Sequence, residues 1–386
     1  MKIVIAPDSF KESATALEVA NAIETGFRQV FPNEEYIKVP MADGGEGTVQ
    51  SMVDATGGYF IDLEVTGPLG NKVMSQYGIL GSSDGQEATT AVIEMASASG
   101  LHLVPLNERN PLYTTSYGTG ELIKNALERG IKHIILGLGG SATNDGGAGM
   151  AQALGIQLKT RDDKVLAFGG EALSQLKSID MSQSHPLLAQ CRIEVACDVD
   201  NPLCGEFGAS MIFGPQKGAT PAMIDTLDKA LSHFADIMVS TGIEDYRLHP
   251  GAGAAGGMGF GVKAFLNAQL KSGIEIVMQT VGLADKLQGA DLVITGEGRL
   301  DGQTVFGKTP MGVLKQANVK GVSAIGIAGS LGKDADAILQ QGMLAIFPII
   351  PALDSLEQVL ANAETNLINT SRNIASIIKL GQLSSN

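Results

Sequence analysis

The chain has 386 residues, a length that suits two domains at about 100–200 residues each. Its 27 Lys and Arg against 41 Asp and Glu leave a formal net charge of −14 with no basic block, which excludes a nucleic-acid or anionic-membrane surface as the main function while leaving room for a local cationic pocket. A composition that is 44% hydrophobic and 18% charged reads as compact, and with no Trp and 5% aromatics it lacks the rings that stack single-stranded nucleic acid or glycans.

In chain order, residues 2–6 (KIVIA) form a β-branched run, followed by the loop PDSFKES and a helical pattern over residues 14–31. A second run, residues 36–40 (YIKVP), leads through ADGGEGT into another helical stretch ending near residues 55–58. From about Val65 the pattern changes: VTGPLGNKVMSQYGILG and TTAVIEM read as successive strands with Gly and Pro turns suited to hairpins. A strand over 133–139 (HIILGLG), a helix through 150–154, a strand over 193–199 (IEVACDV), long helices around 222–240 and a helix over 262–270 follow. The first pattern then returns in residues 291–295 (DLVIT), a helix near 311–317, residues 322–328 (VSAIGIA), residues 344–350 (LAIFPII) and a C-terminal helix from about Ser355.

Continuous apolar strands alternating with helices imply a parallel sheet covered on both faces. The fold class is therefore α/β: a flavodoxin-like parallel-sheet domain built from both chain ends, residues 1–64 plus 284–386, with a second α/β domain, residues 65–283, inserted. Ligands of such sheets bind beyond the carboxyl ends of the strands. The loops there carry Asp8, Ser9 and Lys11; Asp43, Gly44, Gly45, Glu46 and Gly47; Glu297, Arg299, Asp301 and Thr304; and Gly329 and Ser330. Four loops offering carboxylates, a Lys and an Arg at one edge are more than a structural sheet needs, although Asp8 and Asp43 are also residue types that favour turns and helix caps.

The inserted region has its own glycine-rich turn, GLGGSATNDGGAG at 137–149, between a strand and a helix, where successive backbone N–H groups suit a phosphate. Gly139, Gly140, Ser141, Asn144, Asp145 and Gly146 lie in it, and Lys217 in GPQKGAT offers a charge for phosphate. Asp198, in ACDVDNPLCG, sits just past a strand, where a carboxylate suits metal ligation or hydroxyl deprotonation. Two pattern matches carry less. GAGAAG at 251–256 fits GxGxxG but follows YRLHP, which is no buried strand, so close packing before the next helix is the better reading. GQTVFGKT at 302–309 fits the Walker pattern, but GEGRLD separates it from DLVIT and Pro310 follows it; Lys308 is kept as a phosphate contact. The five histidines are scattered without metal-ligand spacing, and no GxSxG occurs. Cys191, Cys197 and Cys204 show no CxxC spacing, so neither a disulfide framework nor zinc is expected; with no signal-like or membrane-length apolar run, the expected compartment is the cytoplasm.

Taken together, APDSFKES, ADGGEGT, VTGPLG, IEMASASGL, RNPL with TTSYGTGEL, GGSATNDGGAGMAQALG, ACDVDNPL, FGPQKGAT, PGAGAAGGMG, TGEGRLDGQT, AGSLG and SRNIA resemble the type I glycerate kinases almost end to end and in the same order. The resemblance implies transfer of the γ-phosphoryl of ATP, with Mg²⁺, to D-glycerate, giving 2-phosphoglycerate or, as in other glycerate kinases, 3-phosphoglycerate, in a cleft between the two domains. It leaves homo-oligomerisation open. On that footing Asp198 or Asp43 accepts the glycerate hydroxyl proton while the other positions the metal, and Arg299 holds the carboxylate beside Asp8, Ser9 and Glu297. Lys11, Lys217 and Lys308 contact phosphate, and residues 139–147 cradle the polyphosphate, oriented by Ser141, Asn144 or Asp145. A dinucleotide-dependent hydroxy-acid oxidoreductase and a non-catalytic small-acid binding protein are the competing classes.

Overall fold

A computed structural model of the chain describes residues 1–45, 47–81 and 88–384. Glu46, placed by sequence in the acidic loop after the second strand, lies outside them. The strands are β1 (Lys2–Pro7), β2 (Glu35–Lys38), β3 (Tyr59–Thr66), β4 (Lys72–Ile79), β5 (Thr90–Glu94), β6 (His133–Gly137), β7 (Gln157–Thr160), β8 (Leu176–Asp180), β9 (Arg192–Ala196), β10 (Gln269–Lys271), β11 (Leu292–Leu300), β12 (Ser323–Leu331) and β13 (Ala345–Pro348). The chain divides into two compact units. One comprises Met1–Asp43, Gln50–Gly57 and Ile274–Asn386, the other Gly44–Val49 and Gly58–Gly273. No helix among the described residues is long and apolar enough to cross a membrane.

The first unit is a five-stranded, wholly parallel sheet in the order β13-β12-β11-β1-β2. Strand β1, KIVIAP, is buried along almost its whole length, as a strand covered on both faces must be. From β1 the chain steps one way to β2, whereas β11, β12 and β13 step the other way, so right-handed crossovers place helices on both faces and the order is the flavodoxin-like one. On one face Ile3, Ile5, Ile294 and Ile327 pack against Val19, Ile23 and Phe27 of the helix Ala16–Arg28 and against Leu367 and Ile374 of the helix Ala363–Ser384. Each such side chain contributes about 1.5–3 kcal/mol by leaving water. Val313, Leu314 and Ala317 of the helix Thr309–Lys320 are buried against the other.

Strand β11 is longer than DLVIT. Its ladder with β12 continues through Arg299↔Ser330 and Leu300↔Leu331, so GEGRL, which sequence gave to a loop, is strand. The reason is the neighbour: GSL of β12 extends beside it and supplies the missing hydrogen-bond partners. Only Asp301 then separates the strand from GQTVFGKT, so distance from a strand does not disqualify that pattern.

The second unit holds a six-stranded sheet, β10-β9-β6-β5-β4-β3, parallel from β10 to β5 and antiparallel at the β5-β4-β3 edge, plus the antiparallel pair β7-β8. The helix expected over 262–270 ends at Leu266, because Asn267 turns left-handed (φ 50°) and Gln269–Lys271 then pairs with β9. The stretch matching GxGxxG is a packing device: Ala255, Gly256 and Gly257 are all left-handed, and a Cβ at Gly256 would meet the carbonyl oxygen of Thr143. Gly146 N donates to Gly256 O at 3.1 Å, so the two glycine-rich segments lie backbone against backbone.

Candidate active site

In the first unit the strand order reverses between β1 and β11, which is where an open sheet of this kind leaves a crevice. Asp8 follows β1 directly and Glu297 lies on the adjoining extension of β11. Asp8 Oδ1 accepts from Ser9 N (2.6 Å), and Oδ2 accepts from the Thr309 hydroxyl (2.6 Å), the first residue of the helix Thr309–Lys320. Glu297 Oε1 accepts from the Thr304 hydroxyl (2.8 Å) and Oε2 pairs with Lys308 Nζ (3.2 Å). Burial pushes the Asp8 carboxyl up to about 6, against the Thr309 bond and with help from the charges of Asp43 and Glu297. Glu297 is raised for the same first reason, burial, with Asp43 adding to it. Asp8 and Glu297, at one sheet edge, thus both hold their protons more tightly than free carboxylic acids do, which marks the edge as a candidate functional site.

Arg299 is exposed and its Nε pairs with Asp301 Oδ2 at 3.3 Å. Its guanidinium lies over Gly332, where a Cβ would come 2.7 Å from Nε. Lys11 is exposed, in the tight turn closed by the Phe10↔Ala14 bridge, and its backbone N lies near Gly298. The Lys and Thr of GQTVFGKT are both drawn to carboxylates of this edge, Lys308 to Glu297 and Thr309 to Asp8. From sequence Thr309 is the last residue of a discounted pattern and Thr304 one more polar loop residue. Their signal was there in the hydroxyls of GQTVFGKT, but not the carboxylates they serve.

In the second unit the turn after β6 is built around Asp145. Its two oxygens accept from Ser116 N (2.8 Å), Ser116 Oγ (2.8 Å), Gly147 N (3.2 Å) and Gly149 N (3.2 Å), and burial raises its proton affinity. The helix that follows, Ala148–Ala153, therefore already has an anion at its N-terminus, and Asp145 faces the interior. Ser141, Asn144 and Gly146 are buried, while Gly139 and Gly140 are exposed. Lys217 is buried too, at 1% exposure, and its ammonium donates to Ser141 Oγ (2.8 Å) and Thr143 O (2.7 Å). Asn144 Nδ2 donates to Ser210 Oγ at 3.0 Å. Past β9, Asp198 is exposed; its Oδ1 accepts from Gly273 N (2.9 Å) and its Oδ2 lies beside Gly44, whose φ of +98° and approach to Gly273 Cα leave no room for a side chain.

Among the described residues, no three His, Cys, Asp or Glu side chains gather in a preformed metal cage. Mg²⁺ seldom uses one, taking one or two carboxylates and completing its shell with water and phosphate oxygens. Taken each within its own unit, the exposed carboxylate of Asp198 and the half-buried one of Asp43 are hard-oxygen ligands of the type such a cation takes.

Residues 3–379 match the model of the glycerate kinase family. The chain is 58% identical over 378 residues to a glycerate kinase of Haemophilus influenzae, covering 98% of this chain and 99% of that one. It is 53% identical to the glycerate 2-kinase of Escherichia coli K12, covering 99% of each. A crystal structure from Salmonella typhimurium LT2, assigned as glycerate kinase 2, superposes with a TM-score of 0.92 at 53% identity over 99% of both chains. With motifs, sheet order and near full-length similarity in agreement, the chain belongs to the glycerate kinase family.

Proposed function

We propose that this enzyme transfers the γ-phosphoryl of ATP to the C2 hydroxyl of D-glycerate, releasing ADP and 2-phosphoglycerate. The observation that carries the reading is 53% identity, over 99% of both chains, to a protein named glycerate 2-kinase. The oxidoreductase alternative loses its one sequence motif, because the glycines of GAGAAG are consumed in backbone packing.

Phosphoryl transfer needs positioning and charge neutralisation more than covalent chemistry. Arg299, exposed at the sheet edge with a planar fork, holds the glycerate carboxylate, with Ser9 and Lys11 on the neighbouring loop. Lys308, already near an acidic group, is a cation for the transferring phosphoryl. Gly139, Gly140 and Ser141 receive the nucleotide phosphates, while Asp145 shapes the turn from within. Asp43 or Asp198 would hold Mg²⁺, which supplies charge neutralisation on the phosphate oxygens when bound. The hydroxyl proton goes to whichever of Asp43 and Asp198 is not so engaged, or to Asp8, whose affinity near 6 suits a base working close to neutrality. Three unbridged thiols support a reducing, cytoplasmic setting.

Phosphorus and carbon NMR of purified enzyme with ATP, Mg²⁺ and D-glycerate tests the reaction and its regiochemistry in one spectrum. Phosphorus coupling to C2 is the expected result. Coupling to the C3 methylene overturns the product assignment, and no glycerate-dependent ADP overturns the substrate.

A further inference from the structure

Lys217 is a buried cation with no carboxylate within ion-pair distance among the described residues. A buried ammonium without a counter-ion is unfavourable unless its protons find acceptors, and keeping one there points to a role. Its position explains what that is. The ammonium ends a short 3₁₀ turn, Pro215–Lys217, and reaches into the glycine-rich turn, where it touches Ser141 Oγ and Thr143 O. An ammonium has three protons and no lone pair, so at 2.8 Å Ser141 Oγ can only be the acceptor. The serine's own proton is thereby directed to a second acceptor. Two residues further, the Thr143 hydroxyl is buried with no hydrogen-bond partner, a second donor in the same turn.

We propose that Lys217 is a positioning residue that never touches the nucleotide: it fixes Ser141 as an obligate hydrogen-bond donor, and Ser141 gives that proton to a phosphate oxygen of ATP held at Gly139 and Gly140. The inference rests on the assignment of this turn to the nucleotide phosphates. When the ammonium loses its proton, Ser141 turns its hydroxyl back toward the amine lone pair and is lost as a donor to phosphate. Burial brings that loss within reach, pushing the Lys217 pKa down to about 7, with Asp145 partly opposing it. Of the segments packed here, the turn contributes Asp145 as its charged group, and the loop against Gly218 contributes Arg109, whose Nη1 donates to Gln216 O at 3.3 Å.

A merely structural lysine shares the stability linkage but leaves the KM for ATP unmoved. With its folded pKa below the unfolded value, the buried ammonium destabilises the fold at low pH, and stability rises as pH climbs from about 7 toward the unfolded range. Weaker ATP binding with rising pH, against a fold that tightens, is therefore what marks the positioning role.

The test is the KM for ATP between pH 6 and 9, at saturating glycerate and Mg²⁺, for the wild type, Ser141→Ala and Lys217→Arg. The wild type is expected to show a rise of about tenfold across this range, with the KM for glycerate flat. Ser141→Ala should begin near the wild-type high-pH value and lose the rise, which cancels the titration of ATP itself. Lys217→Arg keeps its charge throughout, and a flat, low KM is expected of it. Should that variant fail to fold, the comparison of wild type with Ser141→Ala decides alone. A wild-type KM that is flat, or a rise that survives in Ser141→Ala, overturns the role of Lys217. If Ser141→Ala leaves the KM for ATP unchanged at every pH, it is the assignment of the turn to phosphate that falls, and the inference with it.

Discussion

Replacing Asp8 by asparagine should stabilise the protein while impairing it. Asp8 is a carboxylate that the fold holds against its preference: burial, with the charges of Asp43 and Glu297 nearby, raises it from 3.8 to about 6. Below the unfolded value both states are protonated and nothing is lost; between about 4 and 6 the folded state keeps a proton that the unfolded chain has released, so stability falls as pH rises, and above about 6 the loss is complete. A shift of about two units corresponds to about 3 kcal/mol, reduced to about 1–2 kcal/mol because Asp8 retains some solvent access and water screens its charge. Asparagine removes the charge and keeps an oxygen for Ser9 N, and the Thr309 hydroxyl can turn to either amide atom. At about 2–4 °C per kcal/mol, Tm by scanning calorimetry at pH 8 should rise by roughly 2–8 °C. The gain should be about half as large at pH 5, while turnover with ATP and glycerate falls at both. A lower Tm for the variant at pH 8, or a gain that does not change with pH, would refute the reasoning, since it would mean that the Asp8 charge is not strained in the folded state.

Arg299→Lys keeps the charge but loses the planar fork, so the KM for glycerate should rise about tenfold, about 1.4 kcal/mol, with the KM for ATP unmoved; a change below twofold in initial-rate measurements removes Arg299 from the carboxylate site. Thr15 caps the helix Ala16–Arg28 through a reciprocal pair, its hydroxyl accepting from Glu18 N and its N–H donating to Glu18 Oε2. Thr15→Ala should lower stability by about 1 kcal/mol in urea titration and leave kcat and both KM values alone.

Much of the first unit is written into local sequence. A strand buried on both faces has to be a short continuous apolar run, so KIVIA, DLVIT, VSAIGIA and LAIFPII announce β1, β11, β12 and β13, and the polar loops after them announce an edge with Asp8, Asp43 and Glu297. The same rule hid the rest of β11. GEGRL has no apolar signature, and it is strand only because β12 runs on beside it. In the second unit the glycine-rich turn was legible as a turn, but the direction of its side chains was not: Asp145, which from sequence could face a ligand, is drawn inward by Ser116 and two backbone N–H groups. Lys217, which from sequence is a charge for phosphate in a turn before a helix, is buried and bonded to Ser141, 76 residues away along the chain. Thr309 and Asp8 are 301 residues apart and share a hydrogen bond. Sequence by itself determined the alternation of strands and helices, the family and the inventory of reactive groups, because these depend on periodicity and residue type within short windows. Tertiary structure alone decided which hydroxyl serves which carboxylate and which cation is buried, because proton affinity and donor direction are set by neighbours that the chain brings together only when each unit has folded.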